Sequence, residues 1–216
     1  MSLSSQQQIQ ILHVDDEPDF ADLTTTFLKR EDEQFTVENA TSAEEGLERI
    51  NDQPPDCVVS DYNMLGMDGL EFLQAVREDY PDLPFILFTG KGSETVASDA
   101  ISAGVTDYLQ KSSGSEQYEL LANRIENAVT IRRSQQVAQQ RKERLELFFQ
   151  ESPLGSIQWD DEFRFERLNA RAEELLGYDE TELRDKSWET IVAESDREQV
   201  DEAVEGLLDA DGGRHV

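Results

Sequence analysis

Positive charge is scarce in this chain. Lys and Arg total 19 against 48 Asp and Glu, a formal net charge of -29 over 216 residues, and only five of the 19 are lysines. A polyanion is bound by basic surface that displaces its counter-ions, so nucleic acid is not expected as a partner. Cysteine is nearly absent too. Cys57 stands alone, which rules out an intramolecular disulfide and any multi-cysteine metal site. In "DCVVSD" it reads as a small buried apolar residue. No apolar run approaches the roughly 20 residues that a membrane span needs. The start, "MSLSSQQQ", lacks the basic-then-apolar pattern of a signal peptide, so no membrane insertion and a cytoplasmic location are expected. What remains is 37% apolar residues, enough for a core in one or two domains.

Residues 1–8 read as a disordered tail. Short apolar runs follow at 9–14, 35–38, 57–59, 84–88 and 105–109. Segments of helical spacing separate them. Phe20, Leu23, Phe27 and Leu28 are expected on one helical face, then Leu47 and Ile50, then Leu70, Leu73 and Val76. Val96, Ala100, Ile101 and Ala103 form the fourth such face, and Leu121, Ile125 and Ala128 the fifth. Ser42 with Glu45, and Asp68 with Glu71, have the spacing of reciprocal helix caps. Five strands alternating with five helices predict an α/β fold, a doubly wound parallel sheet covered on both faces.

No Pro or Gly interrupts residues 130–148, which read as a long linker helix continuing from the fifth. Ile131, Ala138 and Leu145 recur every seven residues, a seam compatible either with a solvated linker or with pairing of two copies. From 149 onward the texture is that of a smaller α+β unit. Strands are expected at 154–159 and 163–168, joined at Asp160-Asp161, with helix starts at Asp179 and Ser195.

The chemistry gathers at strand ends. Asp15 and Asp16 close the first strand, Asp61 the third and Thr89 the fourth, and Lys111 follows the fifth. In an open α/β sheet these positions line one crevice. Three carboxylates together repel one another unless a cation intervenes. Oxygen donors with no His or Cys favour Mg2+ over zinc, with Mn2+ as a substitute. Asp16 and Asp61 are the expected direct ligands, Asp15 acts directly or through water, and the Asn63 backbone carbonyl adds a fourth donor. Asp61 can attack phosphorus to give an acyl phosphate, while the Lys111 ammonium and the Thr89 hydroxyl hold phosphoryl oxygens. His13 is expected to point away from the acids and to be packed. "FTGKGSE" misses the phosphate-loop spacing and reads as a flexible loop ahead of the fourth helix.

With "VDDEP", "VVSDYNMLGMDGLEFL", "ILFTG" and "AGVTDYLQK" in this order and spacing, residues 9–129 resemble the receiver domain of two-component response regulators. The resemblance implies a flavodoxin-like five-stranded sheet in the order 2-1-3-4-5. It implies phosphorylation of Asp61 from a partner histidine kinase or phosphotransfer protein, and a switch in which Thr89 swings toward the phosphate and Tyr108 turns inward. The face of the fourth helix, fifth strand and fifth helix would then change, and this face or the linker helix is the expected place for a homodimer. No kinase module is expected in this chain, which is read as a non-enzyme that assists its own phosphorylation and dephosphorylation. Family members usually follow the lysine with a cis proline. Here Ser112 follows, and a non-proline cis bond costs about 3–4 kcal/mol, so a trans bond is expected.

Residues 149–216 resemble the first half of a PAS sensor domain, through the strand pair, "NARAEELLGYDETEL" and "VAESDREQV". The chain therefore reads as a fragment of a larger sensor or hybrid histidine kinase. Acidic surfaces of this kind are used by halophiles, and the whole resembles haloarchaeal receiver–PAS signalling proteins. Two other classes remain in view. One is an aspartyl-nucleophile phosphohydrolase of the haloacid dehalogenase type, which would want Asp at position 17, where Glu17 stands. The other is a phosphorylation-independent scaffold.

Overall fold

A computed structural model describes residues 8–90 and 94–200. The expected tail (bar Gln8), the middle of the "FTGKGSE" loop and residues 201–216 lie outside the described residues.

Each short apolar run forms a strand, and each amphipathic segment a helix that returns the chain to start a parallel neighbour. The order is β1 (Ile9–Val14), α1 (Pro18–Glu31), β2 (Phe35–Ala40), α2 (Ala43–Asp52), β3 (Cys57–Ser60), α3 (Gly69–Asp79), β4 (Phe85–Thr89), α4 (Glu94–Ser102), β5 (Asp107–Gln110) and α5 (Glu116–Gln150). The sheet runs β2-β1-β3-β4-β5, and all four pairings are parallel. Period-two alternation sends Ile9 and Ile11 of β1 to one face and Leu12 and Val14 to the other. Leu28 of α1 and Tyr118, Leu121, Ile125 and Val129 of α5 cover the first face. Ile50 of α2, Phe72, Leu73 and Val76 of α3 and Ala100 of α4 cover the second. A sheet covered on both sides needs near-continuous apolar strands, and β3 and β4 are buried along their whole length.

Helix ends follow local chemistry. Asp68 forms a complete capping box with Glu71 at the start of α3. Ser42 caps α2 by accepting from the Glu45 N–H, but the return half differs from expectation. Glu45 accepts instead from the Thr41 N–H at 2.8 Å and pairs with Arg49, which draws its carboxylate away from the Ser42 backbone.

Two expected helix faces are corrected. Leu23 is largely exposed and Thr24 is buried in its place, because α1 turns the row Phe20, Thr24, Phe27, Leu28 inward. Ile101 is also exposed, while its neighbour Ala100 is buried against the sheet.

The chain divides into two compact units, 1–137 and 138–216, with α5 contributing to both. The heptad residues Ile131, Ala138 and Leu145 are all exposed. In the second unit β6 (Ile157–Trp159) pairs antiparallel with β7 (Phe165–Leu168) across a turn that Asp160 closes, accepting from the N–H groups of Glu162 and Arg164. α6 (Ala170–Leu176) and α7 (Glu180–Leu183) follow, the latter started by the Asp179–Glu182 capping box. Ser195 does not cap a helix. It lies inside the 3₁₀ turn Glu194–Asp196 and donates to Asp196.

Phe165, Leu168, Ala172 and Leu183 form this unit's core, with Trp159 packed against them. Its hub is the buried Asn169. Its Oδ1 accepts from the Ser156 and Ala172 N–H groups, and its Nδ2 donates to the carbonyls of Phe149 and Leu154. Asn169→Ala leaves these groups unpaired and is expected to destabilise the unit by about 2 kcal/mol or more. Both tryptophans, Trp159 and Trp188, lie in this unit. A lower denaturation midpoint by tryptophan fluorescence is therefore the readout, and an unchanged midpoint would refute the hub. Among the described residues no helix is long and apolar enough to cross a membrane.

Candidate functional site

The parallel register assembles the site. Val14 of β1 pairs with Ala40 of β2 and Ser60 of β3. One residue further on, the Asp15 N–H donates to the Ala40 carbonyl and the Asp61 N–H to the Val14 carbonyl, at 3.1 and 2.8 Å. Asp15 and Asp61 therefore emerge side by side. Thr89 pairs with Gln110 at the ends of β4 and β5, and the Lys111 N–H donates to the Thr89 carbonyl at 2.8 Å. Lys111 is thereby aimed back over the acids.

Its ammonium lies 2.7 Å from Asp15 Oδ2 and 2.8 Å from Asp61 Oδ1. The Glu17 N–H donates to Asp15 Oδ1 and the Asn63 N–H to Asp61 Oδ2. Asp16 turns the other way and accepts from the Leu65 N–H at 3.1 Å. Burial pushes the Asp15 carboxyl above its ordinary range, against the opposing hydrogen bond from Lys111. Asp61, Asn63, Lys111, Glu17, Phe20 and Gly90 line one open cleft. Thr89 is fully buried.

All the expected residues thus come to one edge, but the cation between Asp15 and Asp61 is the lysine. Among the described residues no three His, Cys, Asp or Glu side chains are grouped so as to hold a metal ion by themselves. The donor chemistry nevertheless fits a hard divalent cation. The acids at this edge offer only oxygen donors, Asp15 and Asp61 share a single ammonium, and such an ion needs only one or two carboxylates because it keeps several waters.

One detail departs from the sequence reading and two add to it. His13 does not point away from the acids. It is fully buried with Nε2 4.0 Å from Asp15 Oδ2, because residues two apart on a strand share a face. That period-two relation was available in "HVD". The second detail concerns Tyr108, whose hydroxyl is already buried, without a hydrogen-bond partner among the described residues. Its ring packs against the α2–α3–α4 side of the sheet. The third is Phe20, expected only as core, which lies with its ring 4.0 Å from the Lys111 ammonium. After Lys111 the chain is held by Gln117, whose Oε1 accepts from the Ser112 N–H, and no peptide bond is cis among the described residues.

Two predictions arise here. Burial, and then the Lys111 charge, lower the His13 pKa from 6.5 to about 4. A depressed folded-state pKa gives stability that is present above 6.5 and lost as the pH falls toward 4, worth about 3 kcal/mol. Asp15, raised by burial, contributes in the opposite sense. His13→Leu is therefore expected to flatten the acid limb of the stability curve between pH 6.5 and 4. Superimposable wild-type and variant curves would refute this. The second concerns Gly69, where a Cβ would sit 2.2 Å from the Asp61 carbonyl oxygen. Gly69→Ala must push α3 away from the β3 end, and a loss of about 3 kcal/mol is expected in denaturant unfolding.

Comparison with known proteins agrees with this geometry. Residues 11–123 match the family described as response regulator receiver domain, and residues 149–213 match the PAS fold. Among curated relatives, the nitrogen assimilation regulatory protein NtrX of Azorhizobium caulinodans is 30% identical over 125 residues, 57% of this chain. The chain spans only 27% of that relative's length. Among solved structures, a CheY-like receiver domain protein from Methanospirillum hungatei superimposes with a TM-score of 0.54 at 26% identity, covering 60% of this chain and 99% of that one. NtrX from Brucella abortus gives 0.55 at 31%, covering 63% and 31% respectively.

Proposed function

Since the chain belongs to the response regulator receiver domain family, we propose that it works by accepting a phosphoryl group on Asp61 from a phosphohistidine of a partner histidine kinase or phosphotransfer protein. One observation carries this reading: the Asp61 carboxylate sits at the floor of an open cleft with an ammonium 2.8 Å away. An Asp61 oxygen bonds to phosphorus as the P–N bond of the donor breaks, and the departing imidazole takes up a proton from solvent. Lys111 neutralises charge on the phosphoryl oxygens, and the Asn63 N–H keeps the carboxylate oriented. Asp16, Asp61, the Asn63 carbonyl and Asp15, directly or through water, would hold Mg2+, which supplies further charge neutralisation when bound.

Thr89, buried next to the Lys111 backbone, has a hydroxyl that would turn to a phosphoryl oxygen. Tyr108 and the α4–β5–α5 face would relay the change. In this reading the PAS-like unit is the element that the receiver switches.

Acetyl phosphate with Mg2+ in molar salt is the test, read by intact mass. A single stable adduct is expected. Rapid turnover of assorted phosphomonoesters would favour a phosphohydrolase instead, and no adduct with no Mg2+ affinity would favour a scaffold.

A further inference from the structure

An ammonium group has three N–H donors. Two of those on Lys111 are taken by Asp15 and Asp61 at 2.7 and 2.8 Å. The Phe20 ring lies against the same ammonium, with its centroid 4.0 Å from Nζ, well inside the reach of a cation–π contact. A second ring, Phe88, stands 5.8 Å from the same nitrogen and is tilted against Phe20 at 5.9 Å between centroids. The Lys111 side chain is only 16% exposed, so the contact is made in largely desolvated surroundings.

Phe20 owes its place to the start of α1. Pro18 stands at the head of the helix, and the Phe20 N–H donates to the Glu17 carbonyl in the first turn. That turn is anchored to the site by the Glu17 N–H on Asp15. The ring forms part of the lining of the cleft that holds Asp61.

From this geometry we infer that Phe20 is a positioning residue for phosphoryl transfer: its π face holds the Lys111 ammonium over Asp61 and keeps water from it. This rests on the receiver reading above and adds to it a residue that touches neither phosphorus nor metal. The ring suits the task because it attracts the cation without competing as a third anion. A carboxylate there would pull the ammonium away from Asp61, and an aliphatic side chain would fill the space without attraction. The ammonium must also let go of Asp61 Oδ1 in part to meet an incoming phosphoryl oxygen. A face with no directional hydrogen bond lets it pivot while still held.

The test compares Phe20→Leu, which keeps apolar volume, with Phe20→Tyr, which keeps the face. Phe20→Leu is expected to slow Asp61 phosphorylation by acetyl phosphate about two- to fivefold, with Phe20→Tyr near wild type. Phenylalanine with successively more ring fluorines at position 20 keeps the shape while draining the π face. Stepwise slowing at unchanged thermal midpoint is expected. A second readout needs no phosphorylation. In an NMR spectrum of lysine-labelled protein, assigned by Lys111→Arg, the Lys111 ε-methylene signals should carry a ring-current shift that Phe20→Leu removes. Equal rates for the Leu, Tyr and fluorinated proteins would overturn the inference, as would Lys111 signals indifferent to Phe20. Failure of the wild type itself to form the Asp61 adduct would instead sink the receiver reading, while the NMR result still decides whether the ring holds the lysine.

Discussion

Asp61→Asn is expected to abolish the acetyl phosphate adduct completely while leaving the fold intact. The side chains are isosteric. The amide oxygen can still accept from the Asn63 N–H, which now reaches Asp61 Oδ2 at 2.7 Å, while the amide nitrogen takes the place of Oδ1 and gives up the bond from Lys111. What is lost is the anionic nucleophile, without which no acyl phosphate can form. The fold should hold, because two carboxylates share one ammonium in the wild type: removing one charge relieves their repulsion, and Lys111 keeps its 2.7 Å partner Asp15. Intact mass after incubation reads the first outcome and thermal denaturation the second. A phosphate adduct of undiminished yield on the variant would place the acceptor elsewhere and remove the basis of the functional reading.

Lys111→Met should have the largest effect on stability and should depend on pH in a definite direction. Asp15 is 1% exposed and Asp61 9% by side chain, so the variant leaves two nearly buried carboxylates without their ammonium. Removing one partner of a buried pair costs about 3–5 kcal/mol, here toward the low end because Lys111 retains some contact with solvent. Asp15 already titrates above its ordinary value through burial. Without Lys111 that carboxyl rises further. A raised folded-state pKa contributes stability at low pH that is lost as the pH rises through it. The variant should therefore lie closest to wild type in mild acid and fall away toward neutrality. Hydrogen exchange of the β1 and β3 amides follows this in the first unit, free of the tryptophan signal of the second. A pH-independent difference would show that the Lys111–Asp15 pair is not the source of the loss. Phosphorylation should fall too, since the ammonium no longer meets a phosphoryl oxygen.

Much of this was visible in the order of residues. Short apolar runs separated by amphipathic ones dictate strands and crossover helices, and with them the ends at which Asp15, Asp61, Thr89 and Lys111 must appear. The Asp68–Glu71 and Asp179–Glu182 caps are local, so they too could be read directly. Periodicity was less dependable where a helix carries more apolar residues than its buried face can hold. Leu23 and Ile101 went outward, and the smaller Thr24 and Ala100 took the contacts with the sheet.

The carboxylates, their strand-end positions and the chemistry they permit follow from the chain alone, because parallel pairing admits few arrangements. Which cation stands between Asp15 and Asp61, and that Phe20 faces Lys111, were decided only in three dimensions. Those are contacts between side chains distant in sequence. Their distances depend on how far each strand end protrudes and how closely α1 packs, quantities that no local pattern encodes.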